Sequence, residues 1–204
     1  YNSNPSMGYH LNERKIEAEL GEDKLDHNVQ RLGYWPKYNQ KSVISEQEWN
    51  ALKVKRLPVI KGKLFVGIKY GNDGANVAMS IAVKTLSGKI FVETIDCQSI
   101  RNGNQWIINF LKKADVEKVV IDGQSGQSIL TSEMKDFKEP ILPTVKEIIN
   151  ANSLWEQGIF QKSFCHSGQP SLATVVTNCD KRNIGTSGGF GYKSQFDDTN
   201  LFGY

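Results

Sequence analysis

The feature that most limits the possible folds is a short apolar run that ends in a carboxylate. Val119, Val120 and Ile121 lead directly into Asp122, and the turn residues Gly-Gln-Ser-Gly follow. A run of β-branched residues bounded by a turn predicts a strand in the middle of a parallel sheet. Because reactive groups in open α/β sheets lie at the carboxyl ends of such strands, Asp122 is the first candidate for chemistry. Aspartate is also a preferred cap and turn residue, so a purely structural role for Asp122 stays open.

Three runs rich in Val, Ile and Phe precede this strand. They are separated by Gly71-Asn72-Asp73-Gly74 and by Leu86-Ser87-Gly88. Turn sequences of this kind between strand-forming runs predict three consecutive antiparallel strands, at 64–70, 76–84 and 89–96.

The remainder of the chain alternates helical and extended patterns. Helical spacing of apolar residues predicts four helices, over 102–114, 127–137, 145–160 and 171–182. A short strand is predicted at 164–166, and the glycine-rich stretch from residue 183 is predicted to be irregular. Antiparallel strands followed by helical crossovers predict a mixed α/β sheet with helices on its faces. In that topology the first strand lies beside the strand that ends at Asp122, which brings residues 68–73 close to Asp122.

Residues 1–60 differ in composition from the rest of the chain. They contain a charge-rich helical pattern, and the sequence Trp35-Pro36 is expected to end it. Ser45 and Glu48 form a capping box that predicts a short helix. Too few apolar residues are present for an independent core, so this region is predicted to connect neighbouring domains, with residues 61–204 as the main domain. The opening YNSNPSMGYH is typical of the interior of a longer polypeptide.

Composition restricts the class of protein. The 204 residues are 39% hydrophobic and 23% charged, which is enough for a sizeable core. A formal net charge of +3 permits a nucleic-acid partner without requiring one. Cys97, Cys165 and Cys179 are widely spaced, which predicts reduced thiols in a cytosol-like compartment. No stretch approaches the roughly 20 apolar residues that span a bilayer, so no membrane partner is expected.

Several carboxylates are candidates for a metal site at the edge of the predicted sheet. These are Asp122, Asp73 in the first turn, and Asp197 or Asp198 near the end of the chain. Hard divalent cations prefer oxygen ligands, and two ions about 4 Å apart would support phosphodiester cleavage. Asn-Asp-Gly is also a favoured hairpin turn, and adjacent aspartates are typical of a solvated loop, so structural roles for these three residues stay open.

Two other residues have side chains suited to chemistry. Lys69, in the predicted first strand, is a candidate to contact phosphate or to balance the carboxylates; the alternative is a strand lysine that extends into solvent. His166 follows Cys165, but no second ligand lies at a suitable spacing for a metal or Cys-His site. The glycine-rich stretch 187–194 does not match a phosphate-binding loop.

The sequence resembles the C-terminal half of the large terminase subunit of tailed bacteriophages. The resemblance spans nearly the whole chain, through the segments NPSMGYHL, RLGYWP, VISEQEWNAL, VGIKYGNDGANVAMSIAV, VVIDGQSGQSIL, ILPTVKEIINAN and FCHSGQPSLATVVTNCDKRNIGTSGGFGY. It implies an RNase H-like nuclease domain over residues 61–204, preceded in residues 1–60 by the end of the ATPase domain and a linker. The Walker A lysine loop is absent, so no ATPase activity is expected.

The resemblance also assigns roles to individual residues. Asp122 matches the family's acidic residue at the end of the fourth strand, and Asp197 or Asp198 falls roughly where the third acid precedes the last helix. Lys69 is a departure, because many large terminases have aspartate there and a charged lysine cannot bind a metal. Three explanations stay open: Asp73 supplies the missing carboxylate, which we favour; the first metal is bound differently; or the protein cleaves poorly.

The function implied by the resemblance is that of a metal-dependent DNA endonuclease. Such a domain would cut concatemeric viral DNA with two Mg²⁺ or Mn²⁺ ions during DNA packaging. Its expected partners are double-stranded DNA, the portal protein and the small terminase subunit, in the host cytoplasm, for a phage or prophage protein. The alternative is a non-catalytic RNase H-like docking module that binds DNA or the portal. A resolvase or transposase is a remoter option, against which NPSMGYHL and RLGYWP argue.

Overall fold

The computed structural model describes residues 42–71, 74–185 and 188–195. Its strands are β1 (Leu64–Tyr70), β2 (Asn76–Lys84), β3 (Ile90–Ser99), β4 (Val116–Asp122), β5 (Phe164–His166), β6 (Cys179–Ile184) and β7 (Gly189–Ser194). Its helices are α1 (Glu46–Asn50), α2 (Gln105–Lys113), α3 (Gln127–Met134), α4 (Val145–Phe160) and α5 (Pro170–Val176), with a 3-10 turn at Ile100–Asn102. None of the helices in these ranges is long and apolar enough to cross a membrane.

Five strands form one mixed sheet in the order β4-β1-β2-β3-β5. β1 pairs antiparallel with β2, and β2 with β3, whereas β1 pairs parallel with β4 and β3 with β5. The predicted topology is therefore confirmed: three antiparallel strands are followed by parallel ones.

The position of β4 differs from the prediction. It lies at the edge of the five-stranded sheet and not in its middle. Its outer side is nevertheless paired with an extended segment at Ile141, whose N–H donates to the Val119 carbonyl at 2.8 Å. The Ile141 carbonyl in turn accepts from the Ile121 N–H at 3.0 Å. Because this segment covers the edge, β4 can have the apolar sequence of an interior strand.

One face of the sheet packs against α2 and α3. Alternate residues of β1 are buried on this face, as expected for the two-residue period of a strand. The cluster joins buried side chains of β1, β2, β4 and both helices: Val66, Ile68, Tyr70, Val77, Met79, Val116, Val119, Ile121, Ile107, Ile108, Leu111, Leu130 and Met134. Full burial of each large apolar side chain contributes about 1.5–3 kcal/mol, so this cluster fixes β1 and β4 side by side.

A second cluster joins α1 to α4 and α5. Trp49 of α1 is 0% exposed and packs with Ile159 of α4 and Val176 of α5. The predicted capping box begins α1: Ser45 Oγ accepts from the Glu48 N–H at 3.2 Å, and the Glu48 carboxylate accepts from the Ser45 N–H at 2.8 Å. The described part of the predicted connector thus contributes directly to a hydrophobic core.

Two predictions for residues 171–195 are wrong. The helix expected over 171–182 ends at Val176, and residues 179–184 form β6. The stretch expected to be irregular from residue 183 contains β7, which pairs antiparallel with β6. Gly189 explains why the strand has a loop-like sequence, since a Cβ there would lie 2.2 Å from Ile149 Cδ1 on α4. The missing side chain at this position allows the β6–β7 hairpin to pack closely against α4.

Candidate active site

The carboxyl ends of β1 and β4 bring Lys69 and Asp122 together. The parallel register pairs Ile68 with Ile121 and Lys69 with Asp122. Lys69 Nζ donates directly to Asp122 Oδ2, and the two side chains are 36% and 30% exposed. The predicted proximity of the first strand to Asp122 is therefore observed, and the lysine does not simply extend into solvent.

Each oxygen of the Asp122 carboxylate accepts a hydrogen bond. Oδ1 accepts from the N–H of Gly123 at 2.9 Å, while Oδ2 accepts from Lys69. Asp122 does not cap the next helix, because α3 begins at Gln127 and its N-cap is Gly126, without a side-chain cap bond. The carboxylate is thus fixed at the sheet edge and accessible to solvent.

The loop after Asp122 is fixed against the end of β1. Gly123 has a φ of +102°, and a Cβ there would lie 2.4 Å from the carbonyl oxygen of Tyr70. A Cβ on Gly126 would lie 2.2 Å from Cε1 of the Tyr70 ring. Ser125 Oγ also donates to the Gly71 carbonyl at 3.2 Å. Glycine is needed at 123 and 126 because the two chain segments approach so closely.

Tyr70 connects this edge to α2 and α3. Its hydroxyl donates to Asn104 Oδ1 at 2.8 Å, and Asn104 Nδ2 donates to the Glu133 carboxylate at 2.9 Å. Burial, reinforced by the Glu133 charge, raises the pKa of Tyr70 to about 12, so the phenol is neutral at ordinary pH. Sequence reasoning missed this network because its members are far apart in the chain; the only local signal was Tyr70 at the end of an alternating strand.

Three predicted site residues, Asp73, Asp197 and Asp198, lie outside the described residues. The residues on either side of 72–73 are described. Gly74 donates its N–H to the Gly71 carbonyl at 3.0 Å, and a Cβ on Gly74 would lie 3.7 Å from Ser125 Cβ. Both ends of the β1–β2 turn therefore adjoin the loop that follows Asp122.

The described residues by themselves do not complete a metal site. Within 42–71, 74–185 and 188–195, no three His, Cys, Asp or Glu side chains form a group that could hold an ion. Asp122 offers the oxygen ligands that Mg²⁺ and Mn²⁺ prefer, but one of its oxygens is paired with the Lys69 ammonium. Among the described residues, Asp122 therefore provides one ligand for an ion, which is too few for a two-ion site.

His166 has a structural role. It is 1% exposed, and its ring stacks on Trp49 with centroids 4.0 Å apart. Its Nε2 lies 2.9 Å from the Trp49 carbonyl oxygen. Burial lowers the pKa of His166, which favours the neutral ring.

A cavity of about 590 Å³ lies on the other face of the sheet. Apolar groups dominate its lining, which includes Phe65 and Gly67 of β1, Trp155 of α4 and Leu172 of α5. Neither Lys69 nor Asp122 lines it. An apolar cavity of this kind offers little to a phosphodiester, so the sheet edge at Asp122 is the better candidate for chemistry.

The fold is similar to that of solved large terminases of bacteriophages. The HK97 bacteriophage large terminase matches with a TM-score of 0.59 and 13% identity, over 98% of this chain and 51% of that one. The large terminase nuclease of thermophilic phage G20c matches at 0.52 and 11%, over 81% of this chain and 98% of that one. The large terminase of another thermophilic bacteriophage matches at 0.52 and 13%, over 95% of this chain and 52% of that one.

These likenesses confirm the predicted RNase H-like fold and the resemblance to large terminases at the level of structure. The chain spans about half the length of the two large terminases, that of HK97 and that of the second thermophilic phage. No known family profile matches the sequence, and no curated protein matches it either.

Proposed function

We propose that this chain is the nuclease part of a phage large terminase and cleaves double-stranded DNA at Asp122 with a divalent metal. The observation that supports it is the position of Asp122 at the carboxyl end of β4, beside the end of β1, on a fold shared with the G20c nuclease. In this proposal residues 61–204 form the nuclease domain, and residues 1–60 are the end of the ATPase domain and a linker. The substrate in the phage would be concatemeric viral DNA.

The proposed metal ligands are Asp122, Asp73 and one of Asp197 and Asp198. A bound Mg²⁺ or Mn²⁺ ion would supply Lewis-acid polarisation of the phosphodiester and an activated water. The protein's own contribution starts from the Gly123 N–H, which holds one Asp122 oxygen in place at 2.9 Å. The contact between Ser125 and Gly71 supports Asp73 as the second ligand, because it holds the start of that turn beside the loop after Asp122.

In this proposal DNA also contacts exposed basic side chains of the β6–β7 hairpin, which forms a separate two-stranded sheet. Lys181 and Arg182 of β6 and Lys193 of β7 are exposed, and the Lys181 Nζ lies 4.2 Å from the centroid of the Phe190 ring. Contacts from lysine and arginine to the phosphate backbone give affinity without sequence preference, in agreement with a packaging nuclease. The same proposal places the protein in the host cytoplasm, with the portal protein and the small terminase subunit as partners.

The test of this function is the nicking of supercoiled plasmid in the presence of Mn²⁺. Asp122→Asn keeps the shape of the side chain and removes its charge, and we expect the rate to fall by at least about 100-fold, as for other groups that stabilise a charged transition state. Asp115→Asn is the matched control, because Asp115 is also paired with a lysine, Lys63, at 3.7 Å near the other end of the same strands. Equal rates for the two variants would contradict the proposal.

Asp73→Asn tests the proposed second ligand in the same assay. A loss comparable to that of Asp122→Asn is expected if Asp73 replaces the carboxylate that is absent at position 69. Unchanged nicking by Asp73→Asn, with nicking still lost in Asp122→Asn, would remove Asp73 from the site.

A docking module is the second candidate, and the Lys69–Asp122 ion pair is the observation that favours it. The Lys69 ammonium balances the charge of the Asp122 carboxylate without a metal ion. In that case the parent chain would bind DNA or the portal without nicking plasmid at any Mn²⁺ concentration. Bound Mn²⁺ that depends on Asp122 would exclude the docking module.

A further inference from the structure

The sheet itself places the Lys69 ammonium at Asp122. The two residues are direct partners in the parallel register of β1 and β4, and the buried neighbours Ile68 and Tyr70 fix the direction in which Lys69 leaves the strand. Among the described carboxylates, Asp122 is the one with which Lys69 forms an ion pair. The ammonium therefore occupies a defined position beside Oδ2.

A lysine at the opposite end of the same strands provides a contrast. Lys63 lies 3.7 Å from Asp115 and 4.0 Å from Glu117, and its side chain is more exposed than that of Lys69. That arrangement is typical of a loose surface ion pair. Lys69 instead contacts its carboxylate directly at a sheet edge where the backbone on both sides is fixed by the packing of Gly123 and Gly126 on Tyr70.

The charge of this pair determines what else can bind. Two carboxylates on neighbouring strands would provide two negative charges for divalent ions, whereas Lys69 and Asp122 together provide none. A second cation near Oδ2 would also be repelled by the ammonium, because charges only a few ångströms apart interact strongly even at the protein surface. The described residues therefore disfavour a two-ion site for a specific electrostatic reason.

We propose that the Lys69 ammonium is a built-in cation that takes the place of one metal ion, so that the site binds at most one divalent ion. This inference rests on the proposed function. An ammonium has three N–H donors, and the bond to Asp122 leaves two of them for another acceptor. Those donors fit a non-bridging oxygen of a DNA phosphate, which Lys69 would hold as a point charge beside Asp122.

The test is the number and affinity of Mn²⁺ ions bound by the full chain, measured by electron paramagnetic resonance and calorimetry. The parent chain should bind one ion, and Lys69→Asp should bind two. Lys69→Met should bind Mn²⁺ at least about tenfold more tightly, because it removes a positive charge that would repel a divalent ion bound at Asp122. Lys63→Met removes the same charge at the other end of the strands and should leave Mn²⁺ binding unchanged.

The possible results separate this inference from the function on which it rests. Two ions bound by the parent chain and lost in Asp122→Asn would overturn the inference and leave the metal-dependent site intact. The inference also fails if Lys69→Met and Lys69→Asp bind Mn²⁺ as the parent does. If no variant binds Mn²⁺, both the inference and the metal-dependent function fail. Circular dichroism and thermal melts establish that each variant is folded, and Lys69→Met provides the answer if Lys69→Asp does not fold.

Discussion

The position of Asp122 depends on Gly123, whose N–H donates to the Asp122 carboxylate. The φ of Gly123, +102°, is unfavourable for any residue with a side chain, and an added Cβ would lie 2.4 Å from the Tyr70 carbonyl oxygen and 2.8 Å from Tyr70 Cβ. The obstruction includes the backbone of β1, so no side-chain rotation relieves it. We therefore expect Gly123→Ala to displace the loop after Asp122 and to destabilise the protein.

The size of this effect follows from two contributions. A left-handed backbone conformation costs a residue with a side chain about 1–2 kcal/mol, and overpacking of a close contact costs about 1–3 kcal/mol. Gly123→Ala should therefore lower the free energy of unfolding by about 2–5 kcal/mol. At about 2–4 °C per kcal/mol for a chain of this size, Tm should fall by roughly 4–20 °C.

Gly88→Ala is the control for this prediction. Gly88 also has a positive φ, +87°, but a Cβ there would meet nothing within 4 Å. Only the backbone contribution applies, so the expected loss is about 1–2 kcal/mol. Urea denaturation of the parent and both variants measures the difference. Equal losses for Gly123→Ala and Gly88→Ala would refute the close contact between the loop and β1.

Three further predictions concern the core around α1. Because burial lowers the pKa of His166, the unfolded chain binds a proton near pH 6.5 that the folded chain binds only at lower pH. As the pH is lowered from about 7.5 to about 5.5, the free energy of unfolding should therefore fall, by up to about 1.4 kcal/mol per pH unit. His166→Asn should reduce this dependence on pH, as measured by denaturation curves at several pH values. Trp49→Ala should lower the free energy of unfolding by about 3–5 kcal/mol, because Trp49 is fully buried. Leu57→Ala is the control: this side chain is 72% exposed, so urea denaturation should show a change of less than about 0.5 kcal/mol. Ser45→Ala should cost about 1 kcal/mol through loss of the cap on α1, again measured with urea.

The elements that sequence reasoning placed correctly have strong local signals. Runs of β-branched residues between turns located β1 and β2, and apolar spacing after Thr144 located α4 with both of its ends. Ser45 and Glu48 marked the start of α1 through their reciprocal hydrogen bonds. In each case the residues that specify the element lie within it or directly beside it.

The elements that were misplaced depend on distant partners. β7 has a glycine-rich sequence because Gly189 packs against Ile149 of α4, a contact that local propensity does not contain. The sequence of β4 does not indicate that the strand lies at an edge, because the segment at Ile141 pairs with its outer side. Tertiary packing overrode the local pattern in both places.

The candidate site was predictable only in part, because some of its contacts also join residues that are distant in the sequence. Chain topology predicted that β1 lies beside β4, which brought Lys69 to Asp122. The hydrogen bonds from Tyr70 through Asn104 to Glu133 join three elements and have no signature in any one of them. Sequence reasoning therefore found the charged groups at the sheet edge and missed the residues that hold the edge in place.

The most direct test of a metal-dependent site at Asp122 is X-ray diffraction from crystals soaked in MnCl₂, with data collected at the manganese absorption edge. We expect an anomalous peak within coordination distance of an Asp122 carboxylate oxygen, and loss of that peak in Asp122→Asn crystals. Mn²⁺ bound only elsewhere, or none at the carboxyl ends of β1 and β4, would contradict it.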